Sequence, residues 1–165
     1  MTQRERTNQR PGAEPTSARE GWSMTCMDLM TDNPAYCLPS DTVVAAARIM
    51  RDEDVGSVPV VDGQQRLLGI ITDRDVAVRV AAEERDARST MVQEVMTRDL
   101  VTCRPDDPAQ RALDLMAQHQ LRRIPVVGDD RRLVGIIAQA DIATRMDAPA
   151  RTAAVVEEIS QPTTS

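Results

Sequence analysis

The chain has 165 residues with a formal charge of −6; it contains no lysine and no phenylalanine, and only one tyrosine and one tryptophan. This length provides one ordinary domain or two small ones around an aliphatic core. The acidic balance and the lack of aromatic rings argue against nucleic-acid binding, because phosphate backbones are held by basic patches. No apolar run approaches the ~20 residues that cross a bilayer, so we expect a cytoplasmic protein without membrane association.

Residues 1–22 are polar and aperiodic, which predicts a flexible N-terminal arm. Beyond this arm the chain repeats itself at an offset of 66 positions without a gap. The repeated pairs are Met30-Thr31 with Met96-Thr97, Cys37 with Cys103, Pro39 with Pro105, Asp41 with Asp107, Met50 with Met116, Pro59-Val60-Val61 with Pro125-Val126-Val127, Gly69-Ile70-Ile71 with Gly135-Ile136-Ile137, and Asp75 with Asp141. One unit has therefore been duplicated.

Each copy predicts the order strand, helix, strand, strand, helix. In the first copy we expect a strand at 35–38, a helix that Asp41 caps, strands at 57–61 and 67–71 joined by an Asp62-Gly63 turn, and a helix at 73–82. In the second copy the matching elements are a strand at 100–103, a helix at 107–119, strands at 123–127 and 133–137, and a helix at 139–146.

The repeat defines the predicted domain organisation. We expect one unit at 24–82, a charged linker at 83–90, a second unit at 91–147, and a tail at 148–165 that includes a short helical pattern. A unit of about 55 residues is too small to bury both faces of its sheet alone. The predicted fold is therefore α/β (α+β), with two β-α-β-β-α units packed sheet to sheet about a pseudo-two-fold axis, and with two clefts between them.

These segments, in order and twice, resemble the CBS (cystathionine β-synthase) domain family, and the tandem resembles its paired form, the Bateman module. The resemblance covers about residues 24–147. It implies a non-enzymatic regulatory module that binds AMP, ADP, ATP, a related dinucleotide or S-adenosylmethionine. It also implies a homodimer of two pairs, an unknown regulated protein, and no required cofactor or metal.

The resemblance assigns ribose binding to the stretch Thr72-x-x-Asp75. A carboxylate there can accept hydrogen bonds from two ribose hydroxyls, and charge-assisted bonds are strong. The same spacing also fits a capping box, which is a purely structural role. The second copy keeps Asp141 but has Ala138 in place of Thr72, so we expect unequal sites.

Two proline-containing strands are candidate neighbours of an adenine ring. They are Val58-Pro59 in the first copy and Ile124-Pro125 in the second. Proline removes a donor from the sheet, so each pair marks either a place that a ligand approaches or an ordinary sheet edge.

Three arginines are candidate phosphate ligands. Arg122 and Arg123 precede Ile124, and adjacent strand residues point to opposite faces, so at most one should enter a cleft. Arg74 is the third candidate, with a surface salt bridge as the alternative.

Two alternatives to a nucleotide sensor remain open. One is a ligand-independent dimeric scaffold that docks another protein. The other is a cysteine-based redox switch, because Cys37 and Cys103 are repeat-equivalent and Cys26 is also present; the plainer interpretation is that buried cysteines act as small hydrophobic residues. The sequence offers no nucleophile elbow, glycine-rich dinucleotide turn or paired acid and base, so we do not expect an enzyme.

Overall fold

The computed structural model describes residues 24–145; the predicted arm and tail lie outside this range. In chain order its elements are α1 (Cys26–Leu29), β1 (Thr31–Asp32), α2 (Val43–Asp52), β2 (Ser57–Val61), β3 (Leu67–Thr72), α3 (Asp73–Val76), α4 (Val92–Val95), α5 (Ala109–Gln118), β4 (Arg123–Val127), β5 (Leu133–Ala138) and α6 (Gln139–Arg145). A π-helical turn at Ala77–Ala81 continues α3.

The two predicted hairpins are confirmed, and they match each other in detail. β2 pairs antiparallel with β3 from Ser57↔Thr72 onward, and β4 pairs with β5 from Arg123↔Ala138 onward. Each hairpin has an irregularity between its two consecutive valines, before the turn. In the first turn the Asp62 carboxylate accepts two backbone N–H groups, so the side chain itself closes the turn.

The start of α2 differs from the prediction that Asp41 is its cap. The cap is Thr42, whose hydroxyl accepts the Ala45 N–H at 3.2 Å. Asp41 instead accepts the Leu38 N–H at 2.7 Å, and Asp107 does the same for Arg104 at 2.9 Å before α5. These aspartates therefore shape the turns that lead into the helices and do not cap them.

The strands predicted at 35–38 and 100–103 are wrong in extent. Each contributes a single parallel bridge, Cys37 to Val60 and Cys103 to Val126. The third strand of the second sheet is β1, which comes from the first repeat and pairs through Thr31 with Ile136.

Each repeat contributes its opening segment to the core of the other repeat. Helix α1 packs against α5, α6 and β5, and its Cys26 and Leu29 are buried in the second core. Helix α4 places Val92 and Val95 in the first core, and Thr97 bridges to Ile70 of β3. The sequence repeats and the packing units therefore have different boundaries: 24–32 belongs with the second core and 91–98 with the first.

The opening segments that pack in the other repeat's core, 24–32 and 91–98, are called the crossing segments. Equivalent backbone hydrogen bonds hold the two crossing segments in place. In the second core Cys26 N donates to Asp107 O at 2.9 Å, and Met27 N donates to Pro105 O at 3.0 Å. The equivalent bonds of the first core join Val92 N to Asp41 O at 2.8 Å and Gln93 N to Pro39 O at 3.1 Å. The pseudo-two-fold symmetry therefore extends to the main chain of the crossing segments.

Two separate aliphatic cores result, one per packing unit. The buried residues of the first core are Cys37, Val43, Ala46, Met50, Val58, Val60, Ile71, Val80, Val92, Val95 and Met96. Those of the second are Cys26, Leu29, Met30, Cys103, Ala109, Ala112, Leu113, Met116, Ile124, Val126, Ile137 and Ile142. The hairpins meet between the cores, where Leu133 N donates to Gln65 O at 3.0 Å and Arg66 bridges to Arg132.

Glycine is required where the first crossing segment approaches β3. A Cβ on Gly69 would lie 2.8 Å from Met96 Sδ and 2.8 Å from the Thr97 carbonyl oxygen, which accepts the Ile70 N–H. Because the carbonyl belongs to the main chain, it cannot move aside without breaking that bond.

We expect Gly69→Ala to lower the free energy of unfolding by about 1–3 kcal/mol, the usual cost of overpacking. The matched control is Gly63→Ala, because an added Cβ there meets no atom within 4 Å, and it should change stability by less than about 0.5 kcal/mol. Urea titration followed by circular dichroism measures both. Equal unfolding free energies for the two variants would contradict the tight crossing.

Candidate functional site

The strand-to-helix corner of the first repeat holds Thr72 and Asp75 in reciprocal hydrogen bonds. The Asp75 carboxylate oxygen Oδ2 accepts from Thr72 N and from Thr72 Oγ1, both at 2.9 Å. Asp75 N donates to Thr72 Oγ1 at 3.1 Å. The capping box that the sequence allowed is therefore present, and it fixes the orientation of the carboxylate.

The second oxygen of this carboxylate, Oδ1, is less committed. Asp75 is 9% exposed, and its Oδ1 lies 3.6 Å from the Nε of Arg79. Arg79 uses Nη1 to donate to Val95 O at 2.8 Å and to Met96 O at 3.3 Å. Oδ1 thus retains capacity to accept further donors, and its neighbour Arg79 holds the end of the crossing helix α4.

The contact between a carboxylate and the backbone N–H three residues earlier recurs through the fold, so it does not mark a binding site by itself. It is found for Asp28 with Thr25, Asp41 with Leu38, Glu94 with Met91, Asp107 with Arg104 and Asp141 with Ala138. The corner at Asp75 differs from the other repeat's corner by its threonine hydroxyl and by its deeper burial.

Ser57 adds an unsatisfied hydroxyl to this corner. It lies directly opposite Thr72 in the hairpin register, so the two side chains share one face of the sheet. Its Oγ is buried and has no hydrogen-bond partner within 24–145. Ser57 is not among the candidate site residues of the sequence analysis; the usable signal was a polar residue opposite Thr72 in an otherwise apolar strand.

Arg123 reaches the first corner from the second repeat. A Cβ added to Gly56 would lie 3.6 Å from Arg123 Nη1 and 3.0 Å from Asp73 Oδ2. The Arg123 guanidinium therefore lies close to the start of α3. Arg122, which precedes β4, is exposed, whereas Arg123 is half-buried. Arg74, in the first turn of α3, is exposed as well.

The predicted adenine neighbours divide between two faces. Val58 and Ile124 are 0% exposed and belong to the two cores, so their side chains are turned away from the space between the hairpins. Pro59 and Pro125 alternate to the opposite face and are also buried. Of these four residues, the prolines have side chains on the face that carries Ser57 or Arg123.

The second corner is simpler. Asp141 Oδ2 accepts from Ala138 N at 2.8 Å, and alanine supplies no hydroxyl. Arg145 occupies the position equivalent to Arg79 and donates to the carbonyls of Leu29 and Met30 at 3.3 and 3.2 Å. The carbonyl ends of α1 and α4 are therefore each held by an arginine of the opposite repeat. Arg79 and Arg145 are separated by the 66-residue repeat offset, but the sequence analysis did not single out this pair.

A family comparison matches this arrangement. The CBS domain model covers residues 26–82 and 92–148. The chain belongs to the CBS domain family. The CBS domain-containing protein YhcV of Bacillus subtilis is 46% identical over 116 residues, which are 70% of this chain and 81% of that protein.

Two solved structures show the same pair of CBS domains. Hypoxic Response Protein I, with two coordinated zinc ions, has a TM-score of 0.69 and 32% identity, and the match covers 74% of this chain and 99% of that one. The CBS pair of protein MJ0100, in complex with 5-methylthioadenosine and S-adenosyl-L-methionine, has a TM-score of 0.66 and 29% identity. That match covers 73% of this chain and 93% of the crystallised CBS pair of MJ0100.

Other candidate chemistry of this CBS pair is limited within the described residues. No group of three or more His, Cys, Asp or Glu side chains there could hold a metal ion, and no helix there is long and apolar enough to cross a membrane. Cys37 and Cys103 lie in different cores, so they do not face each other. Burial, with a smaller contribution from Asp41, raises the pKa of Cys37 to about 12, so this thiol stays protonated.

The buried hydroxyl of Ser57 predicts that its removal stabilises the ligand-free protein. Ser57→Ala should raise the free energy of unfolding of the ligand-free protein by about 1 kcal/mol, because an unsatisfied polar group is removed. Thr72→Ala should lower it by about 1 kcal/mol, since the capping box is lost. Thermal and urea unfolding measure both, with the exposed Ser40→Ala as the control. A loss of stability in Ser57→Ala equal to that in Thr72→Ala would mean that the Ser57 hydroxyl has a partner.

Proposed function

We propose that this CBS pair is a non-enzymatic, cytoplasmic sensor that binds an adenosine-type ligand, such as AMP, ADP, ATP or S-adenosylmethionine, at the first corner. The observation that carries the proposal is the buried hydroxyl of Ser57, which has no hydrogen-bond partner among residues 24–145. Ser57 lies opposite Thr72, whose hydroxyl donates to the Asp75 carboxylate. A buried polar group without a partner is rare in folded proteins and is explained by a ligand that supplies the missing hydrogen bond.

The chemistry of the corner suits a ribose and a phosphate. Asp75 Oδ1 can accept from a ribose hydroxyl, while Ser57 Oγ can accept from the second one or donate to it. Arg123, which reaches the same corner from the second repeat, can donate two N–H groups to a phosphate or a carboxylate. Pro59 and Pro125 offer apolar faces for an adenine ring. The complex of MJ0100 with S-adenosylmethionine and 5-methylthioadenosine supports this class of ligand.

The proposed site is connected to the crossing helix by Arg79. Asp75 Oδ1 lies 3.6 Å from Arg79 Nε, and the same guanidinium holds the last carbonyls of α4 and the following residue. A ribose on Oδ1 competes with Arg79 for this oxygen. Binding therefore changes how firmly α4 is held, and a ligand can shift the packing only through such differential interaction. We expect the regulated partner protein to respond to this change in the packing of α4.

The two corners are proposed to have different affinities. The second corner keeps Asp141 but has Ala138 where the first has Thr72, and Arg123 where the first has Ser57. It therefore lacks both hydroxyls. The first corner is the tighter site, and the second is a weaker site or remains empty.

Calorimetric titration with AMP, ATP and S-adenosylmethionine tests the proposal. Asp75→Asn should lower the affinity for the tightest-binding of these ligands by at least tenfold, because a hydrogen bond to a charged group contributes about 1.5–3 kcal/mol. Asp141→Asn, the equivalent change in the second repeat, is the matched control and should have a smaller effect. Absence of heat for every ligand at millimolar concentration, or equal losses in the two variants, would contradict it.

The phosphate role of Arg123 is tested within the same experiment. Arg123→Met should weaken the binding of ATP while leaving the binding of adenosine nearly unchanged. Arg122→Met, at an exposed position, should change the affinity for neither ligand. Equal losses for ATP and adenosine would mean that Arg123 acts by packing alone.

We further propose that two copies associate through the outer face of α2. A mostly apolar groove of about 380 Å³ lies there. It is lined by Val43, Val44, Ala47, Arg48, Arg51, Val76 and Ala87. Asp52 ends α2 and pairs with Arg51 of the same chain at 2.7 Å. The exposed Glu53 and Asp54 follow the helix, so an antiparallel second copy would bring these acids of one protomer towards Arg48 of the other.

Sedimentation velocity tests the association. The unmodified chain should sediment as a dimer, and Val44→Glu should sediment as a monomer because it places a charge in the groove. Gln64→Glu, in the exposed turn of the first hairpin, should remain dimeric. A monomeric unmodified chain, or a dimeric Val44→Glu variant, would overturn this arrangement.

A further inference from the structure

Two side chains of opposite charge flank one point at the first corner. A Cβ added to Gly56 would lie 3.0 Å from Asp73 Oδ2 and 3.6 Å from Arg123 Nη1. The main chain holds Asp73 in place, because its N–H donates to Gly56 O at 2.9 Å. Its Oδ1 accepts the Arg74 N–H at 2.7 Å, so Oδ2 is the oxygen that faces Gly56. A group bound beside Gly56 would therefore meet both the carboxylate and the guanidinium.

These charges lie at the rim of the corner, outside the groups to which we assign the ribose. Asp75 is 9% exposed and Ser57 is 7% exposed, whereas Asp73 is exposed to solvent. The buried Ser57 Oγ, which has no hydrogen-bond partner within 24–145, directly follows Gly56 in the chain. Because the core lies behind Asp75 and Ser57, the 5′ substituent of a ribose held by them extends towards the rim.

The rim has one positive and one negative side chain. Apart from chain neighbours, the three heavy atoms nearest to the point beside Gly56 all belong to Asp73 and Arg123. The other arginine of the corner, Arg79, faces Asp75 Oδ1 at 3.6 Å and donates to two carbonyls of the crossing segment. The charge of Arg79 is therefore already matched by Asp75, and the ligand's substituent meets Asp73 and Arg123.

The second repeat shows that the fold does not need the carboxylate of Asp73. Gln139 stands at the equivalent position, and its N–H donates to Arg122 O at 2.9 Å, as Asp73 does to Gly56 O. The same main-chain corner thus forms with an uncharged side chain. Asp73 also favours the start of α3, as acidic residues in a first turn do, but that effect is the same for every ligand.

We propose that Asp73 is a specificity-determining residue of the first corner: it favours an adenosine ligand whose ribose carries a cation and a carboxylate, and it disfavours a polyphosphate. The inference rests on the proposed function of this corner. S-adenosylmethionine has a sulfonium on the 5′ carbon of its ribose, followed by an ammonium and a carboxylate. Its cations suit Asp73 and its carboxylate suits Arg123. The triphosphate of ATP carries several negative charges, which Arg123 attracts but Asp73 repels.

Calorimetric titration of the full chain and of its Asp73→Gln variant tests the proposal. The variant copies the residue of the second repeat, so it removes the charge but keeps a side chain that such a corner accommodates. The probes are adenosine, ATP and S-adenosylmethionine, without divalent cations, since a bound Mg²⁺ would bridge Asp73 to the phosphates.

The unmodified chain should bind S-adenosylmethionine more tightly than ATP. Asp73→Gln should bind S-adenosylmethionine about threefold less tightly and ATP about threefold more tightly, which is in the range of exposed charge pairs. Its affinity for adenosine should change by less than about twofold, because adenosine has no charged substituent.

Asp114→Gln is the matched control, because Asp114 is exposed on α5 and the change in net charge is the same. It should leave all three affinities unchanged. No heat with any of the three probes would overturn the proposed function together with this inference. Heat with adenosine, but equal effects of the two substitutions on the ratio of the ATP and S-adenosylmethionine affinities, would overturn the selectivity alone. Tighter binding of ATP than of S-adenosylmethionine by the unmodified chain would do the same.

Discussion

The exchange of opening segments between the two repeats is the constraint on which the rest of the structure depends. Neither core is complete without a helix from the other repeat, because Leu29 lies in the second core and Val95 in the first. The two halves must therefore fold together. The exchange also explains why Gly69 and Gly135 face Met96 and Met30: the crossing segments run too close to the hairpins for a Cβ.

The same exchange links the candidate site to the packing of the units. Arg79 contacts Asp75 on one side and the carbonyl end of α4 on the other, and Arg145 holds the end of α1 in the same way. The Asp75 carboxylate caps the start of α3 through Oδ2 and faces Arg79 through Oδ1. The capping interpretation and the ligand interpretation of Thr72-x-x-Asp75 therefore concern different oxygens and do not exclude each other.

Sequence reasoning found the hairpins because their signals are local: β-branched runs and an Asp62 turn lie within a few residues of one another. It could not find the crossing for a physical reason. Met30 and Met96 are identical residues at equivalent positions, so either copy of the opening segment satisfies either core, and the period does not say which one does. The four-residue helices α1 and α4 are also too short to show a helical period. The orphaned Ser57 hydroxyl depends on burial, which composition does not reveal.

Because the chain contains two copies of one unit, each repeat can be compared directly with the other. The crossings use equivalent backbone bonds, and the hairpins share their register, so a chemical difference between the halves must come from side chains. Those differences separate into two places. Ser57 and Thr72 give hydroxyls to the first corner, where the second has Arg123 and Ala138, while Cys26 gives a thiol to the second core, where the first has Val92. One half therefore carries two hydroxyls that the other lacks, and the other carries an additional buried thiol, on a shared scaffold whose crossing helices connect them.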